Sequence, residues 1–238
     1  MLLPSVAIIP ARSGSRRLPG KNVRALLGRP ALAYTVDAAL ESGVFERVIV
    51  STDSEEIAII ARECGAEVPF LRNPALADDQ TPVSAVTLDA LLRIDPAGRI
   101  AAVAQLMANC PLRTADDICA SLEQFDDTGA DVQLSVTQFG WQNPWWAAER
   151  SADGTLTPLF PEHATRRSQD LPELFCPTGA IWWARAPALR QAGTFHVPGR
   201  TGWLLPWERA VDIDTEADWQ MAEQLLALAR TPGVVHAS

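Results

Sequence analysis

Short apolar runs alternate with helix-patterned stretches through the first 137 residues of this chain, and that alternation leaves few folds open. Val6-Ala-Ile-Ile-Pro10 is a continuous apolar run, the pattern of a strand covered on both faces, and Arg47-Val-Ile-Val-Ser51 reads as a second buried strand. Between them residues 30–42 carry helical periodicity, with Pro30 at the start and Gly43 just past the end. Asp53, with Glu56 three residues on, reads as the cap of a second helix that Gly65 ends. The same reading predicts a short strand over 67–71, a helix over 81–94, a strand over 101–107, a helix from Thr114 to Phe125 and an alternating strand over 131–137. A strand over 180–184, a short strand end over 211–214 and a closing helix over 215–230 complete the pattern. Helices between successive strands require crossovers, so the expected fold is α/β, a doubly wound, mostly parallel (mixed) sheet.

Residues 139–178 break the rhythm. They are rich in proline, tryptophan and polar residues, and five of the eight tryptophans fall between 141 and 183. A chain of 238 residues fits one large α/β domain. The expectation is therefore a single domain over 1–238, with 139–178 inserted as a hairpin-like arm whose aromatics suit a subunit interface.

Composition excludes several functions. A net charge of −9 argues against general nucleic-acid binding, which needs a broad basic surface. Cys64, Cys110, Cys119 and Cys176 form no metal spacing, and His163, His196 and His236 are scattered, so a zinc site is not expected. The start MLLPSVAIIP has no basic region before its short apolar run, unlike a signal peptide, and no apolar segment reaches membrane-spanning length. The expectation is a reduced, cytoplasmic, soluble protein.

Against this acidic background, the loop after the first apolar run stands out. Arg12, Arg16, Arg17 and Lys21 fall within ten residues, and no Asp or Glu precedes Asp37. Ligands of open α/β sheets bind at the carboxyl ends of strands, where this loop begins. Gly14 and Ser15 let backbone amides approach an anion, and four cations match a polyphosphate better than a single carboxylate. Neither the dinucleotide glycine fingerprint nor the P-loop motif is present. Lys21 is the only lysine among twenty cationic residues, a compact ammonium where a guanidinium does not serve. Near the other end, Asp212 and Asp214 lie two apart; on a strand they would share a face, and oxygen-only ligation suits Mg²⁺. Capping of the next helix through Thr215-x-x-Asp218 would account for Asp214 but not Asp212.

Ile9-Pro-Ala-Arg-Ser-Gly-Ser-Arg-Arg-Leu-Pro-Gly-Lys-Asn22 resembles the N-terminal signature of the CMP-sialic acid synthetases, the acylneuraminate or nonulosonic acid cytidylyltransferases. The resemblance continues through 48–57, 65–72, 105–113, 167–172 and 211–218, so it spans nearly the whole chain. It implies a nucleotide-diphospho-sugar transferase-like fold, a homodimer built through the arm, and activation of a nine-carbon keto-sugar acid by CTP. The anomeric hydroxyl would attack the α-phosphorus and pyrophosphate would leave. Arg12, Lys21, Asp212 and Asp214 would carry catalysis, with Mg²⁺ on Asp212 and Asp214. CTP would meet Arg12, Ser13, Gly14, Ser15, Arg16, Lys21, Asn22 and Arg72, with Thr81 and Ser84 in the stretch the family uses around the base. Gln105, Arg166, Arg167, Gln169 and Thr178 would face the sugar, the two arginines suiting its carboxylate.

Three departures lie on the sugar side. The family's Gln-Pro-Thr-Ser-Pro-Leu-Arg stands here as Gln105-Leu-Met-Ala-Asn-Cys-Pro-Leu-Arg113, its Asn-Gly-Ala-Ile-Tyr as Thr178-Gly-Ala-Ile-Trp182, and the arm segment 141–146 lacks the expected lysine. Sialic, legionaminic and pseudaminic acids stay open as substrates. The alternatives are a Kdo cytidylyltransferase and a nucleotide-binding protein without turnover.

Overall fold

Ser5–Pro10 (β1) is buried at every residue, as an apolar run without alternation requires, and it lies inside the sheet rather than at an edge. The computed structural model describes residues 4–230. A loop leads from β1 to a two-stranded ribbon, β2 (Ala25–Leu26) and β3 (Arg29–Pro30), turned by Leu27 and Gly28 at φ 45° and 83°. Then follow α1 (Ala31–Glu41), β4 (Arg47–Ser51), α2 (Glu55–Glu63), α3 (Val83–Ile94), β5 (Ala102–Gln105), α4 (Ala115–Thr128) and β6 (Val132–Gln138). The arm carries β7 (Ala148–Arg150) and β8 (Leu156–Pro158), after which come β9 (Phe175–Arg185), α5 (Ala186–Ala192), β10 (Thr201–Leu204) and α6 (Glu216–Ala229).

The main sheet has the order β10-β6-β9-β5-β1-β4. β1 runs parallel to β4 and β5, and β6 parallel to β10, while β9 is antiparallel to both of its neighbours. The mixed, doubly wound sheet is as expected. Alternate residues of β1 feed opposite cores. Ala7 and Ile9 pack with residues of α1, α2 and α4, whereas Val6 and Ile8 pack with residues of α3 and α5. Neighbouring Trp183 and Trp182 of β9 divide between the same two cores. Trp183 stacks between Phe45 and Phe125 and donates to Ser121 Oγ at 2.9 Å.

A third, smaller cluster positions the site. Leu18 of the cationic loop and Leu26 of the ribbon pack with Ile213 and with Trp219, Ala222 and Leu226 of α6. Burying Leu18 and Ile213 contributes on the order of 1.5–3 kcal/mol each. That contact draws two segments nearly 200 residues apart in sequence to the same end of the sheet.

Several expected elements differ. The strand predicted over 67–71 is a single bridge between Ile49 and Glu67, because Pro69 has no N–H to continue the ladder. The α2 cap is Ser54, whose Oγ accepts from Ile57 N, and not Asp53. Residues 211–214 are irregular rather than a strand end; Ile213 N donates to Asn109 O at 2.9 Å. β9 begins at Phe175, five residues earlier than predicted, since Phe175, Cys176 and Pro177 extend the ladder against β6 past a bulge, so the arm spans 139–174. β2, β3, α5 and β10 were not predicted; β10 is a four-residue edge strand in which Gly202 lies close against Val136. The capping box of α6, Thr215 with Asp218, is present as expected. No helix of the described residues is long and apolar enough to cross a membrane. His236 lies outside the described residues.

Candidate active site

The loop that follows β1 is held open by two polar ties. Ser13 donates to Asp53 through its backbone N–H at 2.9 Å and its hydroxyl at 2.7 Å. Those bonds hold the Asp53 carboxyl below the usual carboxylate range even though burial pushes the other way. Buried Asn22 donates through Nδ2 to the carbonyl of Arg12 at 3.0 Å. With its start and end fixed, the loop carries Lys21 into the site, while Arg16 and Arg17 stay largely exposed. Asp53→Ala removes both bonds to Ser13, and the expected result is a rise of about tenfold in the KM for the anion that the loop receives with little change in kcat, measured by steady-state kinetics.

Each cation of the loop holds a carboxylate. Lys21, only 13% exposed, donates to Asp214 Oδ1 and to the carbonyl of Ile213, both at 2.8 Å. Arg17 meets the other Asp214 oxygen at 2.5 Å. Arg12 pairs with Asp79 at 2.8 Å and donates to the Asp78 carbonyl at 2.6 Å, and Arg16 takes the second oxygen of Asp79. Asp212 lies deeper, with Oδ1 accepting from the Nδ2 of Asn109. Burial, and then the charge of Asp214, push the Asp212 carboxyl up to about 6. A divalent cation between the pair would offset both effects. No group of three or more His, Cys, Asp and Glu able to hold a metal occurs among the described residues. Two hard carboxylates are nonetheless a fitting donor set for Mg²⁺, which completes its shell with water and substrate phosphate oxygens.

These residues surround one cavity of ≈ 300 Å³, lined by Arg12, Lys21, Asn22, Arg72, Asp212 and Asp214 among others. Its inner wall carries Pro10, Leu76, Val83 and Val86, an apolar surface next to the polar one. Arg72 is 4% exposed; its guanidinium donates to the carbonyl and hydroxyl of Ser51, and burial pulls its pKa down to about 10. Gly14, Ser15 and Arg16 line an adjoining, more open cleft of ≈ 540 Å³, where Asp79 and Gln80 form the facing side.

The residues expected on the sugar side do not line these cavities. Gln105 ends β5 but is fully buried, with Oε1 accepting from Thr87 Oγ1 at 2.7 Å. Arg167 pairs with Asp170 at 2.8 Å and Arg166 donates to the Asp170 carbonyl, both on the exposed arm next to Gln169. Thr178 shares a hydrogen bond with Ser135 at 2.7 Å on β9. Thr81 lines the cavity, whereas Ser84 is buried against Phe195.

Several residues of the site escaped the sequence reading, among them the apolar wall of Leu76, Val83 and Val86. Met107 and Asn109 line the cavity in the run that begins at Gln105, and Asp79 closes it from the segment before α3. The polar Asn109 and the pair Asp78-Asp79, in reach of a loop crowded with cations, were the available signals. Behind Met107 stands Gly179, where an added Cβ would meet Met107 Cγ at 2.9 Å. Gly179→Ala is expected to destabilise the fold by about 1–3 kcal/mol in denaturant titration, because Met107 must give way toward the cavity.

A family model described as Cytidylyltransferase matches residues 6–141. A CMP-N,N'-diacetyllegionaminic acid synthase of Legionella pneumophila is 35% identical over 233 residues, covering 94% of this chain and 96% of that protein. A pseudaminic acid cytidylyltransferase of Campylobacter jejuni is 32% identical over 225 residues, with the same coverage of both chains. Among solved structures, a CMP:2-keto-3-deoxy-manno-octonic acid synthetase complexed with CTP shares the fold with a TM-score of 0.73 at 16% identity, over 95% of this chain and 99% of that one. The matched region begins on β1 and takes in the cationic loop, the segment before α3 and the run from Gln105, while Asp212 and Asp214 lie beyond it within the span shared with the two relatives; this chain belongs to the cytidylyltransferase family and is a nucleotidyltransferase.

Proposed function

We infer that the chain joins CTP to a nonulosonic acid of the pseudaminic or legionaminic type, forming the CMP-sugar and releasing pyrophosphate. The observation that carries this reading is the convergence of Arg12, Arg17 and Lys21 with Asp212 and Asp214 on one cavity. Such a site faces an anion that carries its own divalent counter-ion, as a nucleoside triphosphate does. The names of the two relatives supply the class of acceptor.

Phosphoryl transfer needs in-line positioning and charge neutralisation more than covalent help from the protein. Arg12, Arg16 and Lys21 grip the triphosphate and neutralise the charge that grows on departing pyrophosphate. Gly14 leaves the backbone open to phosphate oxygens, whereas the Ser13 N–H is held by Asp53 and the Ser15 N–H by the Ser13 carbonyl, and Asn22 and Arg72 line the cavity on the side given to the nucleoside. The anomeric hydroxyl of the sugar forms the new bond to the α-phosphorus as the bond to pyrophosphate breaks. Asp212 and Asp214 would hold Mg²⁺, which when bound screens the phosphates and lowers the pKa of the attacking hydroxyl. Because Lys21 and Arg17 share Asp214, the cradle and the carboxylate pair are fixed relative to one another.

The arm supports a homodimer. Trp141 is 87% exposed, and Trp146, Leu156 and Leu159 also face outward on it, the aromatic and aliphatic surface that subunit interfaces cover. The acceptor side of the site is then completed between subunits, in line with Arg166 and Arg167 lying on the exposed arm and not lining the cavity. The four described cysteines are all free thiols, in keeping with a cytoplasmic enzyme.

The decisive assay follows pyrophosphate release with CTP and Mg²⁺ across purified pseudaminic, legionaminic, N-acetylneuraminic and Kdo acids. Release with a nine-carbon acid is the expected result. Release with Kdo alone would transfer the assignment to that acid, and none with any acid would remove it.

A further inference from the structure

Asp79 opposes the role given to the loop cations. It sits in the stretch between Asn73 and Pro82, whose only regular structure is one 3₁₀ turn, Pro74–Leu76. Arg12 Nη2 meets one Asp79 oxygen at 2.8 Å and Arg16 Nε meets the other. Two guanidinium groups on opposite oxygens of one anion is the arrangement a phosphate would receive from the same pair. Arg12 adds bonds to the carbonyls of Asp78 at 2.6 Å and Ala77 at 3.4 Å, so the segment is fastened across the loop like a strap. Asp79 borders both the ≈ 540 Å³ cleft and the ≈ 300 Å³ cavity, at the passage between them.

The shape of the strap does not depend on Asp79. Asp78 Oδ1 accepts from the amides of Gln80 at 3.0 Å and Thr81 at 2.6 Å, and Asn73 Oδ1 accepts from Ala75 N at 3.0 Å. Asp79 is thus free to serve the loop rather than its own backbone, and its side chain is one-third exposed.

We propose that Asp79 is an internal competitor for the phosphate site, an affinity-setting carboxylate that occupies Arg12 and Arg16 until a polyphosphate displaces it and that re-engages them as pyrophosphate leaves. The inference rests on the reading of the loop as a phosphate cradle. Binding then exchanges one set of charge-assisted bonds for another, and the nucleotide also meets direct repulsion until the strap moves. Both effects have one sign, so removing the carboxylate tightens binding. The pairs are partly solvent-exposed, which holds the expected gain to about three- to tenfold.

The test titrates wild type, Asp79→Asn and Glu67→Gln with inorganic pyrophosphate in the absence of divalent metal, and with CTP, by isothermal calorimetry. Glu67 belongs to another exposed ion pair, with Arg47, and controls for loss of one negative charge from an acidic protein. The expected result is a three- to tenfold lower Kd for both probes in Asp79→Asn, and no change in Glu67→Gln. An unchanged or weaker Kd in Asp79→Asn, or an equal gain in Glu67→Gln, overturns the proposal and leaves the cradle standing. Failure of all three proteins to bind either probe takes down the cradle reading, and the competitor with it.

Discussion

Lys21→Ala is expected to lower kcat by about 10²–10³, the loss seen when one donor aimed at developing charge is removed from an active site. The ammonium is nearly enclosed and joins Asp214 to the main chain at Ile213, so its deletion removes a positive charge from the cavity and the tie that places Asp214. The fold should survive, since Arg17 still holds Asp214, and Leu18, Ile213 and Trp219 still pack together. Lys21→Arg is expected to recover little. A planar guanidinium cannot enter a position 13% exposed and reach both oxygens as a point charge does. Single-turnover kinetics beside a thermal melt check both variants. A kcat within threefold of wild type for Lys21→Ala would remove this residue from the mechanism.

The second large effect is expected at Asp212. Asp212→Asn keeps the shape of the side chain and an oxygen able to accept from Asn109, while discarding a charge that burial and Asp214 both disfavour. Stability should therefore hold or rise, by at most about 1–2 kcal/mol at neutral pH, as turnover falls by two orders of magnitude or more. Opposite movement of stability and activity is the mark of a group kept for chemistry at a cost to the fold. A variant that lost stability and activity together would instead make Asp212 a structural residue. Chemical denaturation and pyrophosphate release on the same preparations separate the two.

The elements that were readable share a physical origin. β1, β4 and β5 are short and covered on both faces, so each has an apolar centre with polar residues only at its ends, and that signal is local. α4 and α6 announce themselves through capping boxes, which are also local. Elements set by their neighbours were missed. β10 pairs with β6 at an edge through Thr201-Gly-Trp-Leu, a run with little pattern of its own. The predicted strand over 67–71 has the right apolar residues, but Pro69 stops its ladder after one bridge. Asp53 shows how a correct local cue goes elsewhere. It precedes a helix as a cap would, yet Ser54 caps that helix and Asp53 ties down Ser13, forty residues away in sequence.

The sequence by itself determined the α/β alternation and a cationic loop after the first strand, because strand burial, helix capping and a run of like charges are written within a few residues of one another. Tertiary structure alone decided which acids those cations meet. Lys21 with Asp214, Asp212 with Asn109 and Arg12 with Asp79 join residues 67 to 193 positions apart. Electrostatic pairing depends on distance in space, and only the packing of α6 against the loop and the course of the strap before α3 set those distances.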